Sequence, residues 1–248
     1  MMRLLMFCFL FYVCVGCNGP DAPWCLMRPG QNATITSSWE GRDLKQLVVY
    51  DHVDVTWKQQ DGEGVSITWK GPENLLAHAQ IEWEGDVLIV GHEDRCQWAR
   101  QLDLVVKLEV ASPSLRQLEL RGQGQFCMEP MVGQTSFRVD AHSSSSVVQI
   151  EAYVDTLAVK LHGGPTEAIV IGDVQVFEGY SSGMGQLDAS ECSSTKSFIN
   201  QSGLLPLSFV AQAYAYVSIN SPGNVMGFGG APADVDLATT STGVLIWE

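Results

Sequence analysis

"LHGGPTEAIVIGDVQVFEGYSSGMGQLDASECSSTKSFINQSG", residues 161–203, holds two full steps of a repeat. Gly163, Gly183 and Gly203 recur at intervals of twenty residues, and Gly223 continues the series. Ser143 and Gln123 occupy the same phase upstream, the latter between Gly122 and Gly124. Four residues before each position, from Ser143 onward, stand Val139, Val159, Gly179, Ile199 and Ile219; six before stand Phe137, Leu157, Phe177, Ser197 and Val217. Two inward positions and one corner therefore repeat together, with one exception in each apolar column. A period of this length, with one apolar strand and one Gly/Ser corner per unit, is the pattern of a solenoid. The expected fold is all-β: a parallel β-helix with coils of about 20 residues, stacked at about 4.8 Å. Glycine suits a corner because it adopts positive φ without a steric penalty.

The remainder reads as short strands. Examples are "LVVYD" (47–51), "VDVTWK" (53–58), "VSITWK" (65–70), "AQIEWEGDVLIVG" (79–91), "LDLVVKLEV" (102–110) and "LRQLELRG" (115–122). In "VDVTWK", Val53, Val55 and Trp57 point one way and Asp54, Thr56 and Lys58 the other. Glu84-Gly85-Asp86 joins two runs and reads as a hairpin turn with Gly85 at positive φ. No helical periodicity of any length competes with this pattern.

The first residues bear on location. Met1-Met2-Arg3 precedes an apolar run from Leu4 to Val15. That run is too short to span a bilayer, which takes about 20 residues, and has the build of a secretory signal. Val15-Gly16-Cys17 resembles the lipobox of bacterial lipoproteins, although Cys14 stands where that pattern prefers Leu. The resemblance implies a lipidated Cys17 whose acyl chains hold the protein on the outer membrane, on the periplasmic or the surface face. The formal net charge of -14 disfavours nucleic acid as a partner.

Longer phrases resemble the head GIN domain family of auto-transporter adhesins. They are "RDLKQLVVYDHVDVTWKQQ" (42–60), "ENLLAHAQIEWEGDVLIVGHEDRCQW" (73–98), "LEVASPSLRQLELRGQGQF" (108–126), "SPGNVMGFGGAPADVD" (221–236) and "TGVLIWE" (242–248). The resemblance implies a right-handed β-helix. It also implies a disulfide between Cys25 and Cys96, beside Trp24 and Trp98, closing a loop worth about 4 kcal/mol of chain entropy. The expected organisation is a lipoprotein signal peptide at 1–16, a lipidated tether at 17–40 and a β-helical domain at 41–248, with first strands over 41–110 and regular coils over 111–248. Cys127 and Cys192 lie 65 residues apart, about three coils or about 14 Å along the axis. Disulfide Cα atoms lie within about 7 Å, so both thiols are expected free and buried.

Candidate chemistry is sparse. "GYSSG" (179–183) matches G-x-S-x-G, but "MGQLDASECSS" follows where the nucleophile elbow requires a helix, so Ser181 reads as a corner residue. "GHEDR" (91–95) lacks the second His of a zinc helix motif and reads as a polar loop. No two of Cys25, Cys96, Cys127 and Cys192 have C-x-x-C spacing and the histidines look scattered, so no metal and no cofactor are expected. Asp173, Glu178 and Asp188 occupy different phases of the repeat and do not suggest a hydrolytic pair. Trp57, Trp69 and Trp83 fall on neighbouring strands; such rows fill cores, and when exposed they stack on sugars. The reading that follows is a non-catalytic envelope lipoprotein, adhesive or scaffold-like, binding an envelope or extracellular macromolecule. The alternatives are a carbohydrate-binding module using the three tryptophans, and a polysaccharide-degrading β-helix enzyme.

Overall fold

A computed structural model describes residues 30–50, 52–92 and 106–248. Nine strands build the first part: β1 (Asn32–Trp39), β2 (Gln46–Val49), β3 (Val53–Gln59), β4 (Val65–Pro72), β5 (Ala79–Glu84), β6 (Val87–His92), β7 (Val106–Ser112), β8 (Gln117–Leu120) and β9 (Gln123–Met128). A single helical turn, Glu73–Leu76, follows β4. Ten more strands complete the chain: β10 (Met131–Val132), β11 (Ser136–His142), β12 (Ser145–His162), β13 (Glu167–Gly183), β14 (Gln186–Gly203), β15 (Leu207–Val210), β16 (Tyr214–Ile219), β17 (Val225–Phe228), β18 (Asp234–Thr239) and β19 (Leu245–Trp247). They wind into a β-solenoid of about seven turns.

The expected column is present. Val139 pairs with Val159, Val159 with Gly179, and Gly179 with Ile199, each on the next coil. The corner glycines lie in a file: Met184 N–H donates to the Gly163 carbonyl, Leu204 N–H to Gly183, and Gly223 N–H to Gly203. Positive φ explains only part of this. Gly163 and Gly183 have φ of 94° and 65°, and Ser143 adopts 49° in the same phase. Gly223 is held to glycine by close approach, because a Cβ there would stand 2.5 Å from the Gly203 carbonyl oxygen. Gly243 extends the file, its Cβ position 2.5 Å from the Gly223 carbonyl oxygen.

Both exceptions in the apolar columns have physical reasons. At Gly179 a Cβ would meet Ile199 Cδ1 and Phe177 Cε1 at 3.1 Å; the neighbouring side chains already fill that space. Ser197 is buried and hydrogen-bonds to Ser194 Oγ and the Val210 carbonyl, tying two parts of the coil together.

The period drifts at several places. Val217, not Ile219, stacks on Ile199, and Ile219 stacks on Gln201. The strand is displaced by two residues there, because Ser208 to Tyr214 spans two residues fewer than the matching Asp188 to Lys196, and the offset persists past the 219–225 corner, where Val225 pairs with Leu207. Earlier, Leu118 pairs with Val139 and Gln123 with Ser145, offsets of 21 and 22 residues from the pairing numbers.

The first strands are not regular coils. β3 pairs in parallel with β7 and β9, but β1–β4, β4–β7 and β5–β6 are antiparallel. Residues 32–39, expected within the tether, form β1, because their backbone groups complete the edge of β4. The Glu84–Asp86 hairpin turn is present, with Gly85 at φ 62°. One continuous hydrophobic core runs through the described residues, with Trp57, Phe126, Phe137, Phe177 and Phe209 among its fully buried members.

Candidate functional site

The apolar alternation that builds the core also decides what faces outward. In β11, Phe137, Val139 and Ala141 point inward; Arg138, Asp140 and His142 take the opposite face. In β12, Leu157, Val159 and Leu161 are buried, and Lys160 and His162 face out. Parallel pairing sets Asp140 beside Lys160, His142 beside His162, and Lys160 beside Tyr180. Three coils thereby bring acidic, basic and aromatic side chains onto one outer sheet face.

Asp140 is the centre of this group. Its side chain is only 2% exposed although it faces outward, because its neighbours roof it. Arg138 grips the carboxylate with two bonds, Nε to Oδ2 at 2.5 Å and Nη2 to Oδ1 at 2.8 Å. Gln117 Nε2 reaches Oδ2 at 3.5 Å. Burial opposes ionisation of Asp140, yet the Arg138 hydrogen bonds and charge, with a smaller contribution from His162, hold its pKa below the usual carboxylate range.

Two histidines complete the group. The His142 and His162 rings are stacked, 4.6 Å between centroids and 7° between planes. His162 also meets the Tyr180 ring at 5.1 Å. His162 Nε2 lies 3.4 Å from Asp140 Oδ1, in a spot without water access, and makes no hydrogen bond. The histidines are therefore not scattered. The twenty-residue period that aligns the glycines aligns this pair too, one residue ahead of Ser143 and Gly163.

Removing Arg138 tests the electrostatics. Arg138→Ala is expected to destabilise the protein by about 1–3 kcal/mol at neutral pH, since it leaves a covered carboxylate without its main partner. Arg138 is half exposed, which favours the low end. A depressed carboxylate pKa stabilises above the unfolded value of about 3.9 and loses that stability as pH falls through the folded value. The gap between wild type and variant in urea unfolding should therefore be full at pH 7 and shrink in acid as Asp140 protonates.

The other predicted site residues sit elsewhere. Trp57 and Trp69 are 0% and 3% exposed, so neither ring can receive a sugar; they share the inward faces of β3 and β4 with Val53, Val55, Val65 and Ile67. Trp83 is half-buried, with Trp39 edge-on at 5.6 Å and the Arg42 guanidinium 4.3 Å over its ring. Ser181 is fully buried and donates to the Gly185 carbonyl at 2.7 Å, which makes it a corner tie. Asp173, Glu178 and Asp188 are in register with Tyr153, Ala158 and Ile169 respectively, so no two share a column. Cys127 and Cys192 are free; Cys192 is buried, but Cys127 is exposed, since it faces outward between inward Phe126 and Met128. Burial, helped by Asp173, pushes the Cys192 thiol up to about 12, which keeps it unreactive at neutral pH. Cys17, Cys25, Cys96 and residues 93–95 lie outside the described residues.

A second surface lies farther along the same face. Phe198 and Tyr216 are in register, 40% and 39% exposed, and the Phe198 and Tyr214 rings stand 5.9 Å apart. Beside them runs a polar row. Asn220 Nδ2 donates to Asn200 Oδ1 at 3.3 Å and Ser218 Oγ at 3.1 Å, and Thr240 Oγ1 donates to Asn220 Oδ1 at 3.0 Å. Spacing alone did not mark these aromatics, because they stand at outward positions of two strands whose offset departs from twenty.

Solved structures share this architecture. A putative adhesin from Bacteroides fragilis matches with a TM-score of 0.75 at 15% identity, over 87% of this chain and 97% of that one. A putative adhesin from Parabacteroides merdae matches at 0.65 and 16% identity, over 88% and 98%. A putative lipid binding protein from Parabacteroides distasonis matches at 0.63 and 17%, over 88% and 98%. No curated protein matches the sequence. The family described as "Putative auto-transporter adhesin, head GIN domain" matches residues 43–231, and with the stacked coils in place the conclusion is that the chain belongs to that family.

Proposed function

We propose that the protein is a non-catalytic adhesive module of the cell envelope, exported, lipid-anchored through Cys17 and binding a macromolecule with the outer face of its solenoid. The observation that carries this reading is the Phe198–Tyr214–Tyr216 surface with its flanking amides and hydroxyls. Exposed rings beside fixed hydrogen-bonding groups suit a polymer whose units recur along the face, and carbohydrate is the class that uses both. The carbohydrate reading thus moves from the three tryptophans to this surface. Among the described residues no helix is long and apolar enough to cross a membrane, which is compatible with attachment through lipid alone.

Two measurements test the proposal. Palmitate labelling in a Gram-negative host should mark the wild type and not Cys17→Ala; equal labelling would remove the anchor. Binding to isolated envelope and extracellular polysaccharides should fall by about 5- to 150-fold in Phe198→Ser/Tyr216→Ser, since aromatic contacts contribute about 0.5–1.5 kcal/mol each beyond area burial. Undiminished binding in that variant would place the ligand elsewhere.

A further inference from the structure

The geometry points to a divalent transition-metal site formed by His142, His162 and Asp140. It shares a face with the proposed adhesive surface but does not depend on adhesion. The two histidines are one coil apart, so the strand ladder itself sets their spacing. One ring nitrogen from each and one Asp140 oxygen lie within 4.8 Å of one another. Zinc with nitrogen and oxygen ligands at about 2.0–2.2 Å needs those atoms about 3.3 Å apart. Closure to that spacing requires the exposed His142 ring to turn out of its stack on His162.

Three features favour a cation here over a plain surface cluster. The first is His162 Nε2, a polar atom cut off from water and left without a hydrogen bond beside a carboxylate oxygen. A metal bound between them would satisfy it. The second is the state of Asp140. Arg138 fixes the carboxylate in one orientation, as outer-shell partners of metal ligands do. A carboxylate has about four acceptor lobes. Arg138 takes two and leaves capacity on Oδ1, the oxygen nearer His162. The third is the donor set. Two imidazoles and one carboxylate suit zinc, copper or nickel, whereas calcium and magnesium seek oxygen-only shells. Three protein ligands also leave a position open to water or to an outside ligand.

The test titrates the metal-free, full-length protein with zinc by calorimetry and with cobalt(II) by visible absorption. Wild type should take up one zinc with saturation, and calcium and magnesium should not compete. His142→Ala and His162→Ala should each weaken binding beyond the about 10–100-fold that an outer-shell partner is worth. Arg138→Ala should fall within that range. Absence of saturable uptake would overturn the site, as would equal uptake by the His142→Ala/His162→Ala variant, which would assign the metal to other groups. If the double variant fails to fold, imidazole NMR of the wild type decides: zinc must shift the resonances of His142 and His162, and shifts confined to other histidines reject the site. Because zinc uptake is read without any adhesion partner, its failure and failure of the adhesive reading are separate results.

Discussion

Gly172→Val should cost about 4 kcal/mol or more, enough to lower the melting temperature by about 8–16 °C or to prevent folding. Gly172 sits inside β13, facing Ala152 on the preceding coil. Its φ is 143°, a region open in practice to glycine only, and a Cβ there would stand 1.9 Å from the Ala152 carbonyl oxygen. That oxygen belongs to a neighbouring backbone and cannot swing aside as a side chain would. Relief would require parting two coils whose parallel ladder runs from Val147 to Leu161 on one side and Glu167 to Ser181 on the other. The control is Gly85→Asn, at φ 62° with nothing within 4 Å of the added Cβ; it should cost no more than about 1–2 kcal/mol. Calorimetry on the two variants separates backbone strain from collision. If Gly172→Val melts like Gly85→Asn, the coils are not stacked as closely as the solenoid requires.

Gly172 also marks where the sequence stops being readable. Its need for glycine comes from a contact with the preceding coil, not from a repeated corner, so it stands outside the 163/183/203/223 phase. The corner series is legible because stacking forces one chemical demand to recur at one spacing. Offsets are not, because an outer connection can change length without disturbing the core: Ser208 to Tyr214 is two residues shorter than Asp188 to Lys196, and this slips Val217 into the place the period gives to Ile219. The antiparallel first strands follow no period, so β1 is hidden in what reads as tether. The tryptophans were more legible than a binding reading allows: Trp57 alternates with Val53 and Val55, and the face carrying two valines is the one a sheet buries. The His142–His162 pair obeys the period, but two histidines among polar neighbours give no apolar signal, and only the register shows that they touch.

Trp57→Ala should lower stability by about 3–5 kcal/mol, the cost of deleting a large buried aromatic ring and leaving a cavity. Trp57 is 0% exposed on β3, where the antiparallel first strands join the solenoid, and it pairs with Val110 on one side and Met128 on the other. Loss of the ring removes packing from both neighbours at once. The indole N–H also donates to Ser112 Oγ at 2.8 Å, and that hydroxyl donates onward to the Ser114 carbonyl at 2.8 Å. Trp57→Phe keeps much of the volume and breaks only the first bond. Since Ser112 retains its own acceptor, this change should cost about 1 kcal/mol more than the lost ring volume alone. Trp83→Ala supplies the contrast, because its half-buried ring has solvent on one side and should cost markedly less. Urea unfolding of the three variants ranks them. An order with Trp83→Ala as the most damaging would mean that Trp57 is not the inward side chain and that the sugar-stacking face must be sought again on β3.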